Sequence, residues 1–579
     1  MKKQFKNYFR PVLYIIVGLS IVFSCQNINP LDGVELTVND EVPKSPVLIH
    51  FANANSTSAN VPSDFTVKIS GKDASLVKMD GGSTNFQASH GLLPLALTQS
   101  STPSASNPIT FNIYAEIPGF APVSQTITIK SDTTKVIDIS AIELSNPAPG
   151  TSVSIAQATL NNGVASTETS FKISPSSTVS ETTTISIPAG TKILDANGTA
   201  INANQLSSSM VYYSPTSPTS YGAFPGGFNP TNVVDEQGQP INNGNGINFV
   251  SAGLVSINMQ ASGTAVKKFS QPVKVSMEVN TNTTNFESGE NVKEGDIVPL
   301  WSLNEETGAW KKEGNVTLTK NSSGKLVANF ETTHLSCFNL DWFYFYGLGT
   351  CNTPLTVTLH IGAGREGYYD VALVTPQNQY LAAAHWEYVT DGKKVVFPNV
   401  ANIPNAKIVI SDFNLWLNPR LPILAETPIF NPCTKGAVDI TWGSPAPPEF
   451  LNINMNIVGK CSNKDVKILP SGWYYIYDYT KALTGKDGWT YLYLVNGVIR
   501  YTYGSTITNT NGVYSIKLPV GHQYYVYTWN NNKWYESGLF TLGKNNFTLP
   551  AGTGITGSGA YNSATNTLNI TGTFSASCN

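Results

Sequence analysis

The sequence has little charge, few cysteines and almost no long apolar run, and each shortage removes a class of protein. Charged residues are 13% of the 579 and the formal net charge is -3, where an ordinary globular chain carries about a quarter charged residues. A nucleic-acid binder needs a basic patch to neutralise phosphates, so nucleic acid is not expected as a partner. The six histidines, His50, His90, His334, His360, His385 and His522, are scattered, and neither His-Glu-x-x-His nor Cys-x-x-Cys occurs. Both common kinds of zinc site are therefore unsupported, and neither metal nor cofactor is expected. A Gly-x-Ser-x-Gly elbow and a phosphate-cradling glycine loop are also missing. The apolar run Val12 to Phe23 is too short to cross a bilayer, which takes about 20 apolar residues.

What surrounds that run gives it another meaning. Lys2, Lys3, Lys6 and Arg10 precede it with no acidic residue among the first ten, the layout of an export signal. It ends at Val22-Phe23-Ser24-Cys25, which resembles the lipobox of bacterial lipoproteins: an aliphatic residue, a variable one, a small one, then the acylated cysteine. Phe23 is bulkier than usual, while Ser24 keeps the small residue beside the cut. The resemblance implies cleavage before Cys25, attachment of fatty-acyl chains such as palmitate to that cysteine, and a membrane as partner. Gln26 is not the aspartate associated with inner-membrane retention, so the implied address is the outer membrane, with exposure at the cell surface open.

Length predicts roughly three to five domains. After Cys25 no long stretch has helical periodicity, whereas period-two strands bounded by Gly, Pro, Asn and Asp recur throughout. The expected fold class is all-β, a series of β-sandwich domains of immunoglobulin-like or transthyretin-like type. We expect a signal peptide at 1–24, a lipidated tether at 25–45, a sandwich at 46–146, a sandwich region at 147–346, a sandwich at 347–447 and a last one at 448–579. In the first unit the strands Val47 to Phe51, Phe65 to Ile69, Leu92 to Leu97, Ile109 to Ile113 and Thr126 to Lys130, with Ile117-Pro118-Gly119-Phe120 between the last two, resemble carboxypeptidase regulatory-like domains. From 147 the succession Ile185-Ser186-Ile187-Pro188-Ala189-Gly190-Thr191, Pro299-Leu300-Trp301-Ser302, Thr307-Gly308-Ala309-Trp310 and Thr333-His334-Leu335-Ser336 is similar to the extracellular sandwich of cartilage intermediate layer proteins. It looks more distantly like ZU5-type domains. Those relatives imply recognition in place of catalysis. The two tail units open on similar alternating strands, Leu355 to Ile361 and Leu451 to Ile457, which points to a duplicated fold. The last unit resembles the carboxypeptidase regulatory-like pattern again, at Asn511-Gly512, Tyr514 and Pro519-Val520-Gly521.

Apart from Cys25, the cysteines are Cys337, Cys351, Cys433, Cys461 and Cys578. Five is odd, so at least one is unpaired or pairs elsewhere. The simplest pairing staples the ends of two domains, Cys351 with Cys433 and Cys461 with Cys578, and leaves Cys337 as the free thiol; sequence leaves the connectivity open.

Chemistry has few places to hide. Glu305 and Glu306 are adjacent in a Trp-bounded turn, where alternate residues of any strand face apart, so they are expected to be solvated and not to form the convergent pair of a glycosidase. His334 and Cys337 are two candidate ligands, too few for a metal. The tripeptide His334-Leu335-Ser336 resembles the step at which some ZU5 and adhesion-receptor domains cut themselves: His334 as base, Ser336 as nucleophile, the 335–336 bond as target. The alternative is a packed histidine and a serine pinning a strand end. Aromatic residues alternate along three tail strands, Trp473, Tyr475, Tyr477 and Tyr479, then Trp489, Tyr491 and Tyr493, then Tyr525, Tyr527 and Trp529, so each set shares one face. Trp473, Trp489 and Trp529 are the candidate ligand-binding residues for neutral glycans; the alternative is an aromatic core or cross-strand ladder. The reading is a non-catalytic, membrane-anchored surface lipoprotein for adhesion or extracellular ligand binding, to glycan or protein. An accessory glycan binder of a polysaccharide uptake system comes next, and a self-cleaving protein or hydrolase third.

Overall fold

A computed structural model describes residues 35–36, 44–362, 367–412, 423–443, 449–462, 466–482, 488–510, 513–530, 533–550 and 552–576. The signal segment, Cys25, nearly all of the tether and Cys578 lie outside the described residues. Within them the chain is all-β, a series of packed sheets. No helix among the described residues exceeds five residues, and none is long and apolar enough to cross a membrane.

The head sandwich, from Lys44, begins with a strand, Lys44–Asn53, buried along most of its length. A half-buried strand alternates apolar and polar side chains, whereas one covered on both faces does not. Val47, Ile49 and Phe51 turn into the head's own core with Leu93, Leu95, Phe111 and Ile127. Leu48 and His50 point the other way and are equally buried. Val77–Met79, Leu92–Leu97, Lys44–Asn53 and Lys135–Ala141 form one layer, and Lys68–Ser70, Ile109–Ala115 and Val123–Ile129 the other.

In the central region the strands follow one path, Thr151–Thr159, Gln205–Tyr213, Asn248–Ala261, Cys337–Tyr344, Ile297–Asn304, Ala309–Lys320, Leu326–His334, Lys268–Glu278, Thr183–Ile187 and Thr169–Ile173. Ala309–Lys320 is long enough to pair with Ile297–Asn304 along most of its length and with Leu326–His334 near its end, and so carries the path from one layer to the other. Phe171, Ile185, Val275, Met277, Phe338 and Leu340 fill the space between. The outer side of this region holds Trp301 and Trp310, both fully buried, in a cluster that includes Val374, Tyr380 and Val409 of the following unit. The turn after Asn304 docks on the head, where Ser124 Oγ donates to the Glu305 carbonyl at 2.6 Å and Ser70 Oγ to the Glu306 carbonyl at 2.5 Å.

Three units close in the same way. The first strand of the head runs parallel to the last, Lys44–Asn53 beside Lys135–Ala141. Leu355–Ile361 runs parallel to Ala437–Trp442 in the third unit, and Phe450–Cys461 to Thr567–Ala576 in the tail. This geometry explains where the staples lie. Cys351 and Cys433, 82 positions apart, are disulfide-bonded just before the two parallel strands of the third unit. Cys461 ends its strand opposite Ala576 and is itself in a disulfide; the expected partner, Cys578, is outside the described residues. Cys337 is free and buried.

The tail sheet runs Lys533–Glu536, Gln523–Asn530, Gly472–Asp478, Trp489–Val495, Val498–Tyr503, Phe450–Cys461, Thr567–Ala576, Ile555–Asn562 and Phe547–Leu549. Alternation assigns its faces: Tyr474, Ile476, Leu492, Leu494 and Val526 belong to the tail's own core, while Trp473, Tyr475, Tyr491 and Tyr493 point outward. The two tether residues described, Glu35–Leu36, pair in parallel with Lys467–Ile468 of this unit.

Candidate functional site

The self-cleavage tripeptide sits where the chain leaves one layer for the other. His334 ends a strand opposite Lys268, and Cys337 begins one between Ser256 and Leu303. Ser336, 8% exposed, donates its hydroxyl to the Leu303 carbonyl at 2.6 Å and accepts the Leu303 N–H at 3.0 Å. The His334 ring meets Thr332 Oγ1 at 3.2 Å through Nδ1, and its Nε2 stands 3.6 Å from Glu313. Burial lowers the His334 pKa, with Glu313 opposing. His334 and Ser336 make no hydrogen bond to each other; the Ser336 hydroxyl is engaged by the Leu303 backbone.

Glu305 corrects the expectation of a solvated pair. Glu306 is exposed beside Lys68, but Glu305 is only 7% exposed and accepts the Cys337 thiol at 3.1 Å. Burial raises the pKa of both groups, and the thiol's bond to Glu305 partly relieves the carboxyl. Both residues lie in the turn that follows the strand Ile297–Asn304, so it is contact with Cys337 and the head, and not strand alternation, that buries one of them. This buried carboxyl–thiol contact ties the turn after Asn304 to the start of the strand Cys337–Tyr344. Among the described residues no group of three or more His, Cys, Asp or Glu is placed to hold a metal. An open groove of about 470 Å³ lies over Thr184, Ser186, Lys274, Asn329, Phe330 and Glu331. Lys274 and Glu331 are direct cross-strand partners there.

The largest concentration of recognition-type side chains is the outward face of the tail sheet. The structure divides it. Trp473 is only 3% exposed, in a cluster with Tyr475, Tyr491, Tyr493 and Tyr503 that is covered by Leu48 and Leu92 of the head. Trp473 is thus a buried contact between units and not a solvent-facing ring, because the head's outer layer stacks on this half of the sheet. Beside this covered part the same face continues half-buried through Tyr477, Trp489, Tyr525, Tyr527 and Trp529, and Trp534, from the neighbouring strand, lies half-buried at the boundary, where its Nε1–H reaches Ser89 of the head. Their rings form a connected series: Tyr477 to Trp489 at 4.6 Å, Trp489 to Tyr527 at 5.5 Å, Tyr525 to Tyr527 at 5.8 Å, Tyr527 to Trp534 at 6.1 Å and Trp534 to Trp529 at 5.3 Å. Interplanar angles of 51°, 55°, 36°, 86° and 61° along the series tilt the rings against one another, the last two pairs edge to face. Tyr479 falls off the strand, which ends at Asp478, into a helical turn where it is 36% exposed. Sequence reasoning missed Tyr501, Tyr503 and Trp534 on this face. The alternation Tyr501-Thr502-Tyr503 was the available signal for two of them. It also missed the head as a cover, although the non-alternating runs at 47–51 and 92–97 were a sign of strands buried on both sides.

No family model matches the sequence, and no curated protein matches it. Among solved structures the chain is similar to the major pilin subunit BcpA of Bacillus cereus, at 8% identity over 70% of this chain and 100% of that one, with a TM-score of 0.13. It is similar to the shaft pilin spaA of Lactobacillus rhamnosus GG at 9% identity over 40% of this chain and 100% of that one, with a TM-score of 0.16. The Bacillus anthracis TIE protein matches at 10% identity over 73% of this chain and 58% of that one, with a TM-score of 0.13. Scores this low carry no argument about what this chain does.

Proposed function

We propose that the chain is a non-catalytic surface lipoprotein, anchored through Cys25 and used for adhesion or capture of an extracellular ligand, with the open half of the tail's aromatic face as its contact surface. The observation that carries this reading is the connected series of half-buried rings on Tyr477, Trp489, Tyr525, Tyr527, Trp529 and Trp534. Rings with an apolar body and a polar tip suit a surface that is wet when empty and dry when occupied. The N-terminal lipobox resemblance supplies the anchor and the outer-membrane address, and the resemblance to extracellular sandwich domains favours recognition. A neutral glycan is the second reading, favoured by the low charge of the whole chain and by stacking as the contact these rings offer. The disposition of Ser336 and His334 gives no support to self-cleavage.

Two measurements test the proposal separately. Cells grown with labelled fatty acid should label the wild-type protein, and Cys25→Ala should abolish the label; a labelled alanine variant rejects the anchor. A glycan array and a binding assay on extracellular matrix proteins, run with the wild type and with Trp489→Ala, test the contact surface. Ligand binding that is identical in the two proteins rejects it.

A further inference from the structure

The head and the tail touch although they lie at opposite ends of the chain; Asp138 and Tyr503, 365 positions apart, are hydrogen-bonded at 3.1 Å. The centre of the contact is apolar, with Leu48 and Leu92 against Trp473, Tyr475 and Tyr493. Its margins are polar. On one side Asp138 receives Tyr503 through Oδ2 and His50 Nδ1 through Oδ1. On the other the Trp534 Nε1–H donates to Ser89 Oγ at 2.6 Å, with the His90 ring edge-on to Trp534 at 4.9 Å.

Asp80 does not fit this scheme. It follows the strand Val77–Met79, and its Oδ2 lies 3.5 Å from the point where a Cβ on Gly472 of the tail would stand. Its Oδ1 is buried without a hydrogen-bond partner among the described residues. The groups that feel its charge are the phenols of Tyr475 and Tyr493, and the Tyr493 hydroxyl is likewise buried without a partner. No cation pairs with Asp80 among the described residues. The side chain as a whole is half-buried, but this one carboxylate oxygen has been taken out of water without a bond in return.

We propose that this contact is a pH-set clasp, in which the head covers half of the aromatic face in mildly acidic medium and is released from it as the medium turns alkaline. Release joins Trp473, Tyr475, Tyr491, Tyr493 and Tyr503 to the rings already open, so the clasp sets how much aromatic surface a ligand meets. Burial pushes the Asp80 pKa from 3.8 up to about 7, so the closed state holds the proton more tightly than the open one. The clasp is therefore strongest below the ordinary carboxyl value, weakens as pH rises between the two values, and stays at its weakest above about 7. From about pH 5.5 to about pH 8.5 the closing constant falls on the order of thirtyfold. His50 and His90 are the competing sources of a pH effect in the same interface.

Thiol labelling of the full chain reads this directly, because a buried thiol reacts in proportion to the open population. Leu48→Cys places a thiol at the centre of the clasp, and the native free Cys337, buried in the central region, reports opening elsewhere. Rates are divided by that of an exposed thiol peptide at the same pH. The normalised rate at position 48 should rise on the order of thirtyfold between about pH 5.5 and 8.5, with Cys337 unchanged. Adding Asp80→Asn should remove the rise, and adding His50→Gln or His90→Gln should leave it. A flat wild-type-background profile, a rise that survives Asp80→Asn, or one that disappears with either histidine overturns the proposal. Leu92→Cys is the second reporter should the first fail to fold.

Discussion

The two faces of the tail sheet are built from the same strands and have opposite fates. On Gly472–Asp478 and Trp489–Val495 the inward residues Tyr474, Ile476, Leu492 and Leu494 sit in a core supplied by the tail itself. One residue along, Trp473, Tyr475, Tyr491 and Tyr493 are buried in a cluster shared with Leu48 and Leu92 of the head, and Tyr477 and Trp489 further along the same face stay half-open. The difference is chemical as well as topological. The inward face is largely aliphatic; the outward one carries phenol and indole groups, of which Trp473 Nε1 and Tyr493 OH are buried without partners among the described residues. A side chain that is tolerable in water and tolerable under a cover suits a face that must be both, and a purely aliphatic face would not survive exposure.

The comparison is broken most forcefully from the inside. Leu492 is fully buried in the tail core, so Leu492→Ala should cost about 2 to 5 kcal/mol and lower the melting temperature of the tail by calorimetry on the full chain. A loss as small as that of an exposed position would mean that the two faces are not distinct.

Trp473→Ala, one strand away on the other face, should cost less. Its full truncation penalty is about 3 to 5 kcal/mol in a rigid core, but here the head can lift off, and the loss is limited to the free energy of the clasp. The expected result is a fall in head–tail protection against thiol labelling with a smaller effect on tail unfolding than Leu492→Ala gives. An equal fall in both would place Trp473 in the core proper.

These outcomes also mark what the sequence made legible. Alternation along Trp473 to Tyr477 and Trp489 to Tyr493 was visible and placed each set on one face, which the pairing of Tyr475 with Tyr491 and of Trp473 with Tyr493 bears out. The pairing of Cys351 with Cys433 was also within reach, because a disulfide that brackets a unit suits one whose first and last strands are parallel neighbours. Which side of an aromatic face meets water was not legible. That depends on a contact between residues several hundred positions apart, and local periodicity contains no term for it. Glu305 shows the same limit: it lies in a turn, where periodicity says nothing of burial, and its burial came from Cys337 and the head docking against the 305–306 backbone. Cys25 and Cys578 rest on the sequence argument alone.

The smallest effect on stability should come from the open half of the face, and it separates recognition from architecture. Trp489 and Trp529 are half-buried and meet other rings: Trp489 meets Tyr475, Tyr477 and Tyr527, and Trp529 meets Trp534. An aromatic pair is worth about 0.5 to 1.5 kcal/mol beyond its buried area, and a partly solvated ring gives back part of that when removed. Trp529→Ala, which loses the ring contact with Trp534, should therefore change stability by less than about 1 kcal/mol, and Trp489→Ala by somewhat more, both below Leu492→Ala. If the open face is where ligand binds, the ranking reverses for binding: both tryptophan variants should weaken ligand capture severalfold or more, while Leu492→Ala, measured where it is still folded, should leave it intact. Calorimetry and a binding titration on the same three variants check both rankings at once. Two tryptophan variants that are destabilised as much as Leu492→Ala and bind normally would make the open rings part of the scaffold, and would leave the aromatic face with no role beyond holding the head and tail together.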